Sequence, residues 1–211
     1  MTLSCHSATS ARAIEPAEPR PFREPADTEA AGACTGSLPQ RFIHPGAASQ
    51  PRLLSLQVHA VRELRVTLPC GANVGASLRA ALAPFNFSGG MGYICRGSAQ
   101  ALQYHVVEAA AAGDRPYIYG APLCERGVAT MINGTLNLGR DPGGTVLLHC
   151  HGGYADSQGL LHGGHVILER TVVGAEPWVL QLCLFGQGGF VQRCDEETHY
   201  SLLQPDAGVL Q

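Results

Sequence analysis

The sequence has no lysine. All 14 basic side chains of fixed charge are arginines, set against 17 acids for a formal net charge of -3. Without lysine there can be no phosphate-loop lysine, no Schiff-base lysine and no kinase-type lysine. The acidic balance also leaves no extended basic surface for wrapping DNA or RNA. Charged residues make up only 15 % of the chain, yet no apolar run approaches 18 residues, so no membrane span is predicted. The N-terminal stretch MTLSCHSATSARAIEPAEPR lacks the apolar core of a secretory signal. The eight cysteines are widely spaced and form no CxxC pair. Without an export signal, this spacing points to reduced thiols and a cytoplasmic protein rather than a disulfide framework.

What is present suits a single domain with a tail: 211 residues, 45 % of them apolar. Residues 1–40 are rich in Ala, Pro, Glu and Gly and have no lasting apolar period, which predicts a flexible N-terminal extension. A single domain is expected over residues 41–211. Within it, 61–68 (VRELRVTL) alternates as a strand. Asn73 is placed to cap a helix to about Ala83, with Val74, Leu78, Ala81 and Leu82 on one stripe and Pro84 limiting its far end. The glycines at 89–92 lead into a β-prone stretch, about 93–107, and 123–138 holds one or two short strands. Residues 145–151, 165–173 and 178–185 are dense in β-branched and large apolar residues joined by short links, the pattern of antiparallel strands. The expected fold is α/β of the α+β kind: a largely antiparallel sheet with one or two packed helices.

The most informative segment is LLHCHGGYADSQGLLHGGHVILERTVV, residues 147–173. His149 and His151 are one residue apart in an apolar strand, so period two puts both rings on one face and Cys150 on the other. Asp156-Ser157-Gln158-Gly159 suits a type I turn, with Asp first and Gly fourth. A strand returning from it brings His165 beside the first pair. Three neutral imidazoles from adjacent strands can hold a divalent ion, zinc first, and leave a position for water or substrate. His162 competes with His165 as third ligand but falls one residue before the glycines. The same rings could instead be hydrogen-bonded at a subunit interface. Gly152, Gly153, Gly163 and Gly164 leave room either for a ligand or for a neighbouring backbone.

These residues carry a resemblance. The segments VTLPCGANVGASLRAAL (66–82), GMGYICRGSAQAL (90–102) and especially 147–182 resemble the plant and prokaryote conserved domain, the PPC domain. On that pattern His149, His151, Asp156, Gly159, Gly163, Gly164, His165 and Glu176 fall on family positions. The resemblance implies an α/β sandwich on a largely antiparallel sheet, assembled as a homotrimer. The same layout resembles the metal-bearing half of acetolactate decarboxylase, which implies zinc on His149, His151 and His165. Bacterial members commonly carry DNA-binding names, inherited from plant members with AT-hooks. Here Gly113-Asp114-Arg115-Pro116 has Gly-Asp where the Arg-Gly-Arg-Pro core of an AT-hook has Arg-Gly, so the first arginine is missing and an acid stands beside the second, and DNA binding is expected to be weak or absent.

Two carboxylates are candidates for catalysis. Glu169 lies four residues past His165 and, on a continuous strand, shares its face as an acid/base group or as a support for a ligand ring. Glu176, just before Pro177-Trp178, is suited to proton transfer if the strand brings it near the histidines. Tyr117 and Tyr119 alternate around Ile118 and are candidates to line a cleft. Arg62 and Arg65 are candidates to hold an anionic substrate. Two functions follow from these readings. One is a metal-assisted lyase or hydrolase acting on a small organic acid. The other is a DNA-associated or regulatory module with structural histidines.

Overall fold

A computed structural model describes residues 43–110, 113 and 115–208. The expected N-terminal extension, residues 1–40, lies outside the described residues, as do Cys5 and Cys34. The compact unit is Arg41–Gln211. Its elements run β1 (His59–Leu68), α1 (Val74–Leu82), β2 (Gly89–Arg96), β3 (Ser98–His105), β4 (Val107–Ala109), β5 (Tyr117–Tyr119), β6 (Leu123–Glu125) and β7 (Ala129–Arg140). They continue with β8 (Val146–Ala155), β9 (Leu161–Val166), a 3-10 turn at Leu168–Arg170, β10 (Val172–Val173), β11 (Trp178–Gln187), β12 (Gly189–Cys194) and β13 (Ser201–Asp206). The antiparallel α+β architecture expected from the sequence is the one observed.

The main sheet has the order β1-β11-β2-β7-β8-β9-β3-β10. Its pairings are antiparallel, apart from one parallel bridge between β12 and β7 at Val191 and Arg140. Strand β3 meets β9 at its end (His105 opposite His165) and β7 at its start (Ala99 opposite Ala129). Strands β7, β8, β9 and β3 therefore close on one another, which fixes β9 between two partners.

The helix forms as its sequence predicts. The side-chain oxygen of Asn73 accepts the amide of Ala76 at 2.9 Å, supplying one of the partners that a helix start lacks. Val74, Leu78 and Leu82 are buried. They pack into one core with Leu68, Leu136, Leu138, Cys150, Trp178, Leu180 and Leu182. The helix thus covers one face of the sheet, the face to which Cys150 points.

The stretch 93–107 is not one strand but two. Gly97 breaks it with φ of +145°, and a Cβ there would lie 2.4 Å from Cδ1 of Trp178. Only glycine lets the backbone pass so close to the indole. The strand expected over 165–173 is broken as well. The amide of Ile167 still donates to Gln103, but the next amides bond locally, Arg170 to Ile167 and Thr171 to Leu168. Leu168 is drawn into the core under α1, and this burial outweighs the β propensity of the run.

Candidate metal centre

The β8–β9 hairpin turns at Asp156–Gly159. The amide of Gly159 donates to the carbonyl of Asp156 at 3.0 Å, and Gly159 adopts φ of +80°. The Asp156 carboxylate accepts the amides of Gln158 and Leu160, locking the turn. This sets the register in which His151 stands directly opposite His165 and Tyr154 opposite His162. Across β7, Asn137 faces His149 and Thr135 faces His151. Met91 and Tyr93 of β2 continue the same rows. The face that α1 leaves uncovered therefore carries two polar rows leading to the histidines.

On this face the three imidazoles converge. Ring centroids are 4.6 Å apart for His149 and His165, 4.8 Å for His149 and His151, and 5.4 Å for His151 and His165. One nitrogen from each lies within 4.8 Å of the others. Among the described residues Nδ1 of His165 is buried without a hydrogen-bond partner. A buried, unpartnered ring nitrogen is costly, and binding a cation through it would remove that cost. The donor set fits a divalent ion: neutral imidazoles suit zinc, and three of them leave a position open.

The electrostatics agree with that fit. Loss of water around the ring, reinforced by His149, His151 and His105, lowers the His165 pKa to about 4. His149 is lowered also, first by burial and then by His151. Both rings are therefore neutral at pH 7, with lone pairs available to a metal. The consequence for stability has a definite sign. Both groups bind protons more readily in the unfolded chain, so the metal-free protein is fully stabilised above about pH 6.5 and loses stability as pH falls toward about 4. We expect a loss on the order of 2 kcal/mol, reduced from the full linkage value because water screens the part-exposed rings. Urea unfolding of the metal-free protein at pH 7 and at pH 4.5 checks this, with His165→Leu as the variant that flattens the difference.

Cys150 occupies the opposite face. It is fully buried, and burial pushes its thiol up to about 12. His162 is three residues from His165 and turns to the other face of β9. It bonds to the Asp156 carboxylate at 2.9 Å and stacks on Tyr154. Glu125, Asp156 and His162 also bring ligand-type atoms together. Those atoms are already engaged: Tyr154 and the amide of Gly127 donate to Glu125, and His162 bonds to Asp156.

The carboxylates are placed differently from the sequence expectation. The break after Val166 takes Glu169 off the strand face of His165 and onto the 3-10 turn beside α1. There Arg79 donates to its carboxylate at 2.9 Å. Its charge still reaches His165, where it opposes the lowering. Glu176 precedes β11, with its amide on the hydroxyl of Ser98 and its carboxylate 3.9 Å from Arg96. Neither carboxylate belongs to the set of atoms that gathers the three histidines. Arg62 lies over the ring of Phe85.

At Gly164 a Cβ would lie 2.2 Å from the carbonyl oxygen of His105, so only glycine admits the neighbouring strand there. Its backbone also lines the cleft of about 600 Å³ beside His151, together with Tyr93, Asn133, Thr135 and Gly153.

Two residues of this neighbourhood are hidden or ambiguous in the sequence. His105 stands opposite His165 on the other side of β9, and Tyr119 packs on both rings. Tyr119 is one of the two tyrosines named for a cleft. His105 carries no local motif, and only the β3–β9 register reveals it.

No family model matches the sequence, and no curated protein matches it. Solved structures do. A proposed DNA-binding protein from Ralstonia eutropha JMP134 aligns at a TM-score of 0.55 and 18 % identity, over 66 % of this chain and 89 % of its own. A plant- and prokaryote-conserved (PPC) protein from Pyrococcus horikoshii aligns at 0.53 and 14 %, over 70 % and 93 %. A metal-containing protein from Archaeoglobus fulgidus aligns at 0.55 and 14 %, over 72 % and 98 %. At these identities the likeness is one of fold. The compact unit of this chain therefore has the fold seen in the plant- and prokaryote-conserved proteins.

Proposed function

We propose that the chain is a metal-dependent enzyme that holds one divalent ion, zinc first, on His149, His151 and His165. In this reading it acts on a small organic acid as a lyase or hydrolase. The observation that carries it is the convergence of three imidazoles, one of which, His165, has a buried ring nitrogen with no hydrogen-bond partner among the described residues. The cleft beside His151 supports a small-molecule ligand, and the fold neighbour from Archaeoglobus fulgidus is itself metal-containing. The HxH and GGH pattern that resembles acetolactate decarboxylase supports zinc.

Bound there, the ion would supply a Lewis acid with a free position. The chain's own part is to keep the rings neutral and to aim them from two strands. Glu169 and Glu176 are the carboxylates proposed for proton transfer. Of these, Glu169 is the one whose charge acts on His165. Elemental analysis of protein purified without an affinity tag tests the centre. About one ion per chain is expected, and a metal-free protein that takes up no added zinc overturns it.

The proposal includes a homotrimer in the cytoplasm. Met91 and Tyr93 lie on the uncovered face and are about half exposed, at 49 % and 56 %, which supports a partner there. Sedimentation at micromolar concentration tests the trimer, and a 22 kDa species overturns it. The nucleic-acid reading draws on the names of fold neighbours. A chain of net charge -3 without lysine offers little for counterion release. We expect no sub-micromolar affinity for a mixed-sequence duplex at about 150 mM salt, measured by fluorescence anisotropy. Tight binding there would promote the regulatory reading over the enzymatic one.

A further inference from the structure

His105 is a fourth imidazole beside the centre, set one row further out. It is the direct cross-strand partner of His165, so both rings leave the same face of the sheet. Their centroids are 6.2 Å apart, against 4.6 to 5.4 Å among His149, His151 and His165. Its nitrogens are not among the atoms gathered within 4.8 Å. Standing outside the gathered set, the ring suits a place separated from the ion by one ligand atom.

The orientation of this ring is fixed from two sides. Nδ1 lies 2.8 Å from the carbonyl oxygen of Gly120. A carbonyl only accepts, so Nδ1 carries the proton and Nε2 presents a lone pair. Among the described residues Nε2 has no hydrogen-bond partner. Tyr119, one residue before Gly120, stacks on the His105 ring at 5.3 Å and 28° and packs on His165 at 5.0 Å. One short segment, Tyr119–Gly120, therefore sets the tautomer and the tilt of His105 while walling the side of His165. Such support from outside the ligand set commonly orients what a metal holds.

Resting on the three-histidine reading, we propose that His105 is a positioning residue of the centre. Its Nε2 accepts a hydrogen bond from the protic oxygen of a ligand seated in the position that His149, His151 and His165 leave open. The centre then favours ligands whose donor oxygen carries a proton, such as alcohols and hydroxy acids, over aprotic anions of similar size.

The test uses the full chain loaded with cobalt(II), with glycolate and azide as probes read by the visible spectrum. Wild type is expected to bind both. His105→Ala should weaken glycolate about tenfold, the loss of one hydrogen bond, and leave azide within about twofold. His105→Gln, which keeps an acceptor, should recover part of the difference. Nitrogen-15 spectra of the zinc-loaded wild type should show three coordinated rings, with His105 uncoordinated and protonated at Nδ1.

The failures are distinguishable. A wild type that takes up no cobalt or zinc removes the three-histidine centre and this role with it. With metal bound, equal weakening of both probes, or of neither, removes the positioning role alone. So does a wild type that binds azide but not glycolate. Loss of cobalt in His105→Ala, or a fourth coordinated ring, would make His105 a ligand and overturn the proposal. A His105→Ala chain that does not fold leaves the comparison of wild type with His105→Gln, where a weaker preference for glycolate over azide than in wild type is expected, and an unchanged preference overturns the role.

Discussion

Replacing His149 or His165 by alanine should reduce zinc affinity about 100-fold or more, enough to empty the site during dialysis against a weak chelator. His149 and His151 come from β8 and His165 from β9, and with one ring gone two imidazoles remain to hold the ion. Two other substitutions calibrate the result. Cys150→Ala should retain zinc, because the thiol is buried on the opposite face and held protonated by its surroundings. His162→Ala should retain it too, since that ring is bonded to Asp156 across the sheet from the centre. Elemental analysis of the four variants beside wild type is the measurement. Full occupancy in both His149→Ala and His165→Ala would remove the centre. Loss in His162→Ala but not in His165→Ala would move the third ligand to His162, against the observed register.

Trp178→Ala should be the most damaging single change to the fold, costing about 3–5 kcal/mol. Trp178 has no exposed surface and is the largest fully buried side chain. It opens β11 opposite Leu68, and its indole N–H donates to the carbonyl of Ser98 at 2.8 Å. Gly97 lies against the indole and has no side chain to fill the space left behind. In a domain of this size the loss corresponds to a fall of about 10 °C in midpoint. Trp178→Phe keeps most of the apolar volume and loses the N–H, so it should cost about 1–2 kcal/mol. Calorimetry of the two variants checks the order. A midpoint within about 2 °C of wild type for Trp178→Ala would mean that the core does not depend on the indole.

Several features could be read from residues alone because their causes are local. Asn73 caps a helix whose apolar stripe and closing proline lie within eleven residues, and the cap is formed. Asp156 and Gly159 specify a turn through the aspartate's own carboxylate and the glycine's left-handed backbone. Period two along the β8 residues puts His149 and His151 on one face and Cys150 on the other, whatever else surrounds the strand. Because the turn is local, the return of His165 toward that pair is also legible.

Tertiary structure alone decided what depends on non-local competition. The run 165–173 has the composition of one strand, yet Leu168 gains more by entering the core under α1 than by extending the ladder. The chain turns there, and Glu169 goes to Arg79. His105 carries no motif and joins the histidines only because β3 closes against β9, sixty residues later in the chain. The glycines of GGH read equally well as ligand space or backbone space, and at Gly164 both hold: its missing side chain admits the carbonyl of His105, and its backbone lines the cleft. Local patterning thus determined the helix, the hairpin and the shared face of three rings. Strand order and burial determined which other groups surround those rings, since these rest on contacts between segments that the chain itself keeps far apart.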